Sequence, residues 1–302
     1  MVLYRLAGQE FYFPHPIHEL ETVEVNNGAA DEAAPFVPPS CLKNESGPPL
    51  CVPASLALSC QTVGWVANAQ RQVEIWLAPP GILLRVAGGS DFYISPGGQN
   101  ILCASQEQDG GRLNETDRQI LLGPVLVLAL AMRGTWCLHA SAVVLKDHLI
   151  AFLGEAGEGK STLAAFLANV GDLDWRLVAD DILPVTLDAA GALAWPHFPQ
   201  LKLPLNAQPG YGMPESLPLD RICILRQAEL DIQPELQLLP MNQAVQVLVS
   251  HTAGTRLFEP TLLSDHLDFC ARVATKVPVY SLIYPHRKDI LPAVKEILES
   301  LC

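Results

Sequence analysis

The chain has little charge and few basic residues. Asp, Glu, Lys and Arg make up 17% of its 302 residues, against about 25% in ordinary globular domains. Because 49% of the residues are hydrophobic, wholesale disorder is excluded and a sizeable core is expected. The 19 Lys and Arg are outnumbered by 32 Asp and Glu, for a formal net charge of −13. A field of that sign repels phosphate backbones and anionic headgroups, which argues against general nucleic-acid binding and membrane-surface binding. The eight cysteines include no CxxC pair and no zinc-ligand spacing, so buried thiols in a reducing compartment are expected. The opening MVLYRLAGQEFYF lacks the apolar core of a secretory leader. The longest apolar run, Ile120–Met132, contains Gly123 and Pro124. It is too short for the roughly 20 residues a bilayer span needs and predicts a buried helix. A cytoplasmic protein is the expectation.

Proline is absent from residues 125–183, although the chain has 25 prolines in all. Eight fall in 1–53 and nine in 184–240. Regular structure is therefore expected in the clean window, and a long loop or disordered insertion at 26–53. Short apolar runs at 72–77, 82–87, 92–95 and 100–104 are separated by Pro79-Pro80-Gly81 and Pro96-Gly97-Gly98. They predict a small, mainly antiparallel β domain over 1–112, followed by an α/β domain over 113–302. In the second domain, Asn114 with Asp117 resembles a capping pair opening a helix to about Met132, with Pro124 as a candidate kink. Strand-like stretches follow at 137–145 and 149–153. Helical patterns are expected at 241–250 and 260–276, then a strand at 279–284 and a last helix with Leu291, Val294, Ile297, Leu298 and Leu301 on one face.

The clean window contains Gly154-Glu155-Ala156-Gly157-Glu158-Gly159-Lys160-Ser161-Thr162. Before it stands a continuous apolar run, Leu149–Leu153. After it, Leu163, Phe166, Leu167 and Val170 fall at helical spacing. This is the spacing and the strand–helix context of a phosphate-binding loop. Glycines let successive N–H groups turn inward at the positive end of a helix. Lys160 supplies a mobile charge for β- and γ-phosphates, Ser161 a hydroxyl for Mg2+, and Thr162 a further donor.

Twenty residues beyond Lys160, a short apolar strand ends in Asp180-Asp181. Carboxylates at a strand end beside such a loop suit a Mg2+ ligand and a base for a hydroxyl proton. Neighbouring strand residues point to opposite sides, so the two are not expected to duplicate each other. His139 ends Trp136-Cys137-Leu138, one strand ahead of the loop; by itself such a histidine is more often a satisfied core residue than a functional one.

The order His139-Ala-Ser-Ala-Val-Val, then Gly154 to Ser161, then Leu177-Val-Ala-Asp180-Asp181 resembles the catalytic domain of HPr kinase/phosphorylase. It is more similar still to the shorter HPr-kinase-like serine kinases, some of which belong to peptide-modification clusters such as those of lasso peptides. The close resemblance covers about 136–183. It implies a phosphate-loop fold related to phosphoenolpyruvate carboxykinase, with ATP and Mg2+ as cofactors. It places His139 near the γ-phosphate beside the aspartates, with Asp180 as base and with Ser161 and Asp181 on the metal. The family's second signature, Glu-x-Arg-Gly-Leu-Gly, is missing. Phe198-Pro-Gln-Leu-Lys-Leu203 stands near its place, so phosphorylase activity and HPr as substrate are not implied. The expected activity is transfer of a γ-phosphate to a serine or other hydroxyl of a peptide or protein. A nucleotide-regulated binding module and a small-molecule kinase are the alternatives. Assembly into homo-oligomers is left open. Lys202, Arg221, Arg226, Arg256 and Arg272 are the candidates for completing the charge clamp.

Overall fold

The computed structural model describes residues 2–13, 17, 56–103, 113–169, 175–203 and 212–301. The expected insertion at 26–53 lies outside these residues, as does the end of the helix anticipated at Gly171. The chain divides into two compact units, Met1–Gly134 with Gly254–Leu263, and Thr135–Ala253 with Ser264–Cys302. The architecture is mixed α/β, with two small antiparallel sheets and one larger mixed sheet.

In the first unit, β1 (Val2–Leu6) and β2 (Gln9–Phe13) form a hairpin. A five-stranded antiparallel sheet follows, made of β3 (Ala57–Val66), β4 (Ala69–Ala78), β5 (Gly81–Val86), β6 (Asp91–Ile94) and β7 (Ile101–Cys103) in that order. The four strands expected between 72 and 104 are there. β3 carries no sequence signal of its own: in ALSCQTVGWV the apolar Leu58, Val63 and Trp65 are exposed, so hydrophobicity does not mark a buried face, and pairing with β4 supplies what the pattern lacks. Pro96-Gly97-Gly98 forms a single 3-10 turn between β6 and β7.

The run from Asn114 to Met132 is helical but broken, and it is mostly buried only from Ile120 onward. Asn114 Oδ1 accepts from Asp117 N at 2.8 Å and opens α1 (Glu115–Ile120). A wider turn at Leu121–Val125 then leaves helical geometry at Gly123, before α2 (Leu126–Ala131). Pro124 has no N–H to give and clashes with a regular preceding turn, so the break falls where proline dictates. Asp117 is fully buried. Its carboxylate accepts from Ser90 N and Ser90 Oγ, both at 2.6 Å, and from Asn114 Nδ2 at 3.0 Å. The helix start is thereby tied to the loop after β5.

The second unit is built on a nine-stranded sheet. The expected strand over 137–145 is two strands. β8 (Trp136–His139) and β9 (Ser141–Leu145) part at Ala140 and join different limbs of the sheet. β10 (His148–Leu153), α3 (Lys160–Asn169), β11 (Trp175–Ala179), β12 (Ile182–Leu187) and β13 (Ala192–Ala194) follow. β14 (Leu217–Gln227) is shared by both limbs, pairing with β13 at Leu217–Pro218 and parallel with β10 from Leu219. β15 (Glu235–Leu238) and α4 (Met241–Ser250) lead to α5 (Pro260–Lys276). β16 (Val279–Tyr284) then runs parallel to β14, and α6 (Leu291–Glu299) ends the chain's regular structure.

β10 lies between β9 and β14 and is buried on both faces, which is why Leu149–Leu153 reads as an unbroken apolar run. On one face Ile150 and Phe152 join Val143, Leu145, Cys223, Leu225 and Leu282. Leu163 and Leu167 of α3 and Leu291, Val294 and Leu298 of α6 cover them. The helix rising from the glycine-rich loop is thus clamped on the sheet by its apolar stripe.

Candidate functional site

The loop between β10 and α3 is Gly154–Gly159, so the strand, turn and helix anticipated from the sequence are in place. Gly157 and Gly159 have φ of +91° and +86°, a conformation other residues adopt only with strain. Lys160 is 8% exposed. Its ammonium folds back over the loop, donating to Gly154 O at 2.7 Å and Glu155 O at 3.1 Å. Burial lowers its pKa, and the neighbouring Lys202 charge pushes the same way. The Glu158 carboxylate accepts from Glu155 N at 2.7 Å.

The aspartates owe their positions to two strand switches lying side by side. At Ala140 the chain leaves β8 for β9. At Asp180-Asp181 it leaves β11 for β12. β12 pairs with β8 through Ile182 opposite His139, and β11 pairs with β9 through Ala179 opposite Ala142. Ala140 N, donating to Asp181 O at 3.1 Å, joins the two crossings. Each aspartate therefore faces a different strand. Asp180 Oδ1 accepts from Ser141 Oγ at 3.1 Å, on β9. Asp181 Oδ1 lies 3.3 Å from His139 Nε2, at the end of β8, and 2.6 Å from Lys202 Nζ. The two carboxylates thus have separate partners. Burial alone would raise the Asp181 carboxyl, but the hydrogen bonds from His139 and Lys202 outweigh it and hold the group below its ordinary value.

His139, Ala156, Gly157, Gly159, Lys160, Ser161, Thr162, Asp180 and Lys202 line one cleft of about 250 Å³. The structure thus brings together residues from four separated stretches of chain. Asp181 is not among these lining residues, but its Oδ1 is the shared anionic partner of Lys202 and His139. Gly154, Glu155 and Glu158 form hydrogen bonds within the loop. Of the basic candidates, Lys202 lines the cleft, whereas Arg221 donates to Leu301 O at 2.7 Å and Arg272 is 3.5 Å from Asp268. His251 also lies in the electrostatic field of Glu155, Lys160 and His139, and burial lowers its pKa. Its carbonyl accepts from His139 N at 2.8 Å, which fixes the end of β8.

Two residues of this arrangement escaped the sequence. Ser141 stood inside the quoted His-Ala-Ser run without a role. Gln200 stood in a proline-broken stretch with no pattern to mark it. It is 1% exposed, and its Oε1 accepts from three consecutive backbone amides, those of Asp180, Asp181 and Ile182.

The oxygen donors present, a serine hydroxyl and a carboxylate on one cleft with a second carboxylate beside it, suit a hard cation such as Mg2+. That ion typically takes one or two carboxylates and completes its shell with water and phosphate. Among the described residues no group of three or more His, Cys, Asp and Glu is gathered tightly enough to hold a metal alone. No described helix is long and apolar enough to cross a membrane.

No protein-family model matches the chain, and no curated protein matches it. Among solved structures it is similar to the HPr(Ser) kinase/phosphatase from Coxiella burnetii. The identity is 15% and the TM-score 0.32, over 55% of this chain and 97% of that one. A likeness of that extent assigns neither a family nor an activity to the chain.

Proposed function

We propose that the second unit is an ATP- and Mg2+-dependent kinase that transfers a γ-phosphate to a serine, or another hydroxyl, of a peptide or protein. The observation that carries this reading is the common cleft: Lys160, Ser161 and Thr162 of the loop face Asp180, His139 and Lys202 across about 250 Å³. Inward-turned loop amides and the two ammonium groups bind and orient a triphosphate. Lys160 exchanges its loop carbonyls for phosphate oxygens when the nucleotide enters. Asp180 keeps one carboxylate oxygen beyond its bond from Ser141 and accepts the acceptor's hydroxyl proton. Asp181, whose Oδ1 pairs with Lys202 and His139, would offer its other oxygen to Mg2+ together with Ser161; when bound, the ion neutralises charge on the phosphates. Positioning and electrostatics supply most of the rate in this chemistry. HPr is not proposed as the acceptor, nor phosphorolysis as a second activity.

The test is incubation of the full chain with γ-labelled ATP, Mg2+ and a pool of serine-containing peptides. Label on a peptide seryl oxygen is expected. Saturable ATP binding with no labelled acceptor and no ATP turnover would replace this reading with a nucleotide-regulated binding module.

A further inference from the structure

At a strand switch the backbone loses its ladder. β11 ends its pairing at Ala179 and β12 begins at Ile182, so the amides of Asp180, Asp181 and Ile182 need acceptors from elsewhere. One side chain provides them. Gln200 Oε1 accepts from Asp180 N at 3.0 Å, Asp181 N at 2.9 Å and Ile182 N at 3.2 Å. Its Nε2 donates to Ile182 O at 2.8 Å and to Phe198 O at 2.9 Å. The carboxamide is thus spent on five backbone bonds inside the protein and is absent from the cleft lining. Three converging N–H groups would equally suit a carboxylate, but a third negative charge would then lie against Asp180 and Asp181. A neutral amide holds the turn without adding that charge, and its NH2 satisfies two carbonyls that a carboxylate would repel.

Gln200 also sits on the segment that carries the second cation. Leu203 N donates to Gln200 O at 3.0 Å, closing a turn from which Lys202 reaches Asp181. One buried residue therefore fixes the aspartates on one side and anchors the lysine's backbone on the other.

We propose that Gln200 is the positioning residue of this site: its carboxamide sets the strand switch that aims Asp180 and Asp181, and the turn it anchors delivers Lys202 to Asp181. The consequence for rate rests on the phosphotransfer reading; the positioning itself is measured without turnover. Gln200→Met keeps length and bulk but removes every polar atom, whereas Gln200→Glu keeps the oxygen that accepts the three amides. Both variants of the full chain are compared with wild type by amide hydrogen exchange at residues 180–182, by ATP–Mg2+ binding, and by label transfer to the serine-peptide pool.

In Gln200→Met the three amides are expected to exchange at least about 10-fold faster. Turnover should fall by about 10–100-fold, the usual consequence of losing a group that orients a reacting one, and ATP–Mg2+ affinity should fall by less, because the loop amides and Lys160 stay in place. Gln200→Glu is expected to restore protection at the three amides and part of the rate. Wild-type exchange at all three amides in Gln200→Met overturns the proposal. So does a loss of rate that matches loss of folded protein equally in both variants. Should Gln200→Met fail to fold, Gln200→Glu decides: folded protein with protected amides supports the proposal, and folded protein with unprotected ones overturns it. A wild-type chain that transfers no label refutes the phosphotransfer reading and leaves the exchange result standing.

Discussion

The ammonium of Lys202 lies 2.6 Å from Oδ1 of Asp181, and the same oxygen is 3.3 Å from His139 Nε2. Two cleft-lining groups are thus tethered to one carboxylate oxygen.

Removing Lys202 should be felt more in chemistry than in stability. The Asp181 carboxyl is held below its ordinary value of 3.8. Its pairing therefore stabilises the fold above that pH, and the stabilisation is lost as pH falls through the lower, folded value. Lys202 is 58% exposed, so solvent screening keeps the pair's worth below about 1 kcal/mol. Lys202→Met is expected to unfold in urea within that margin of wild type at pH 7. The two curves should converge in strong acid, where Asp181 is protonated. Turnover should fall by about 10–100-fold, as for loss of one preorganised charge. Equal turnover in the two proteins would remove Lys202 from the charge clamp.

Asp180→Asn separates binding from proton transfer. The amide retains the shape and still accepts from Ser141, but it is no base. ATP–Mg2+ affinity, followed by equilibrium titration, should stay close to wild type. Transfer should drop by at least about 100-fold, within the range for losing a general base. If affinity collapses together with turnover, the assignment of Asp180 as base and Asp181 as metal ligand is reversed.

Asp117→Ala probes the first unit. The substitution strands Ser90 N, Ser90 Oγ and Asn114 Nδ2, three donors that the fully buried carboxylate satisfies. A loss of about 3 kcal/mol is expected from such unsatisfied groups, measured by chemical denaturation. A change under about 0.5 kcal/mol would mean that these donors find other partners, since only positions free of such features are usually that tolerant.

Local periodicity made much of this structure legible. The continuous apolar run Leu149–Leu153 is a strand buried on both faces, and the helices at Met241–Ser250 and Pro260–Lys276 follow their apolar spacing. The loop motif announces its own strand and helix because glycine, lysine and serine each have a local reason to be there. What stayed hidden depends on residues distant in sequence. Nothing in Trp136–Leu145 shows that the strand breaks at Ala140, because the residues on both sides are buried alike. The switch is set by which neighbours compete for the two halves. Gln200 was illegible for the same reason: the three amides it holds lie 18 to 20 residues upstream, and a glutamine among prolines has no period. Lys202 could be named as a candidate cation, but its choice over Arg221 and Arg272 required the fold.

The most direct measurement is γ-phosphate transfer from labelled ATP in the presence of Mg2+, comparing wild type with Lys160→Ala. The Lys160 ammonium bonds Gly154 O and Glu155 O, both within the loop, so the fold should survive its loss and circular dichroism should be unchanged. The account predicts label on a serine of the peptide pool with wild type and nearly none with Lys160→Ala. Equal transfer by a folded Lys160→Ala protein would contradict it.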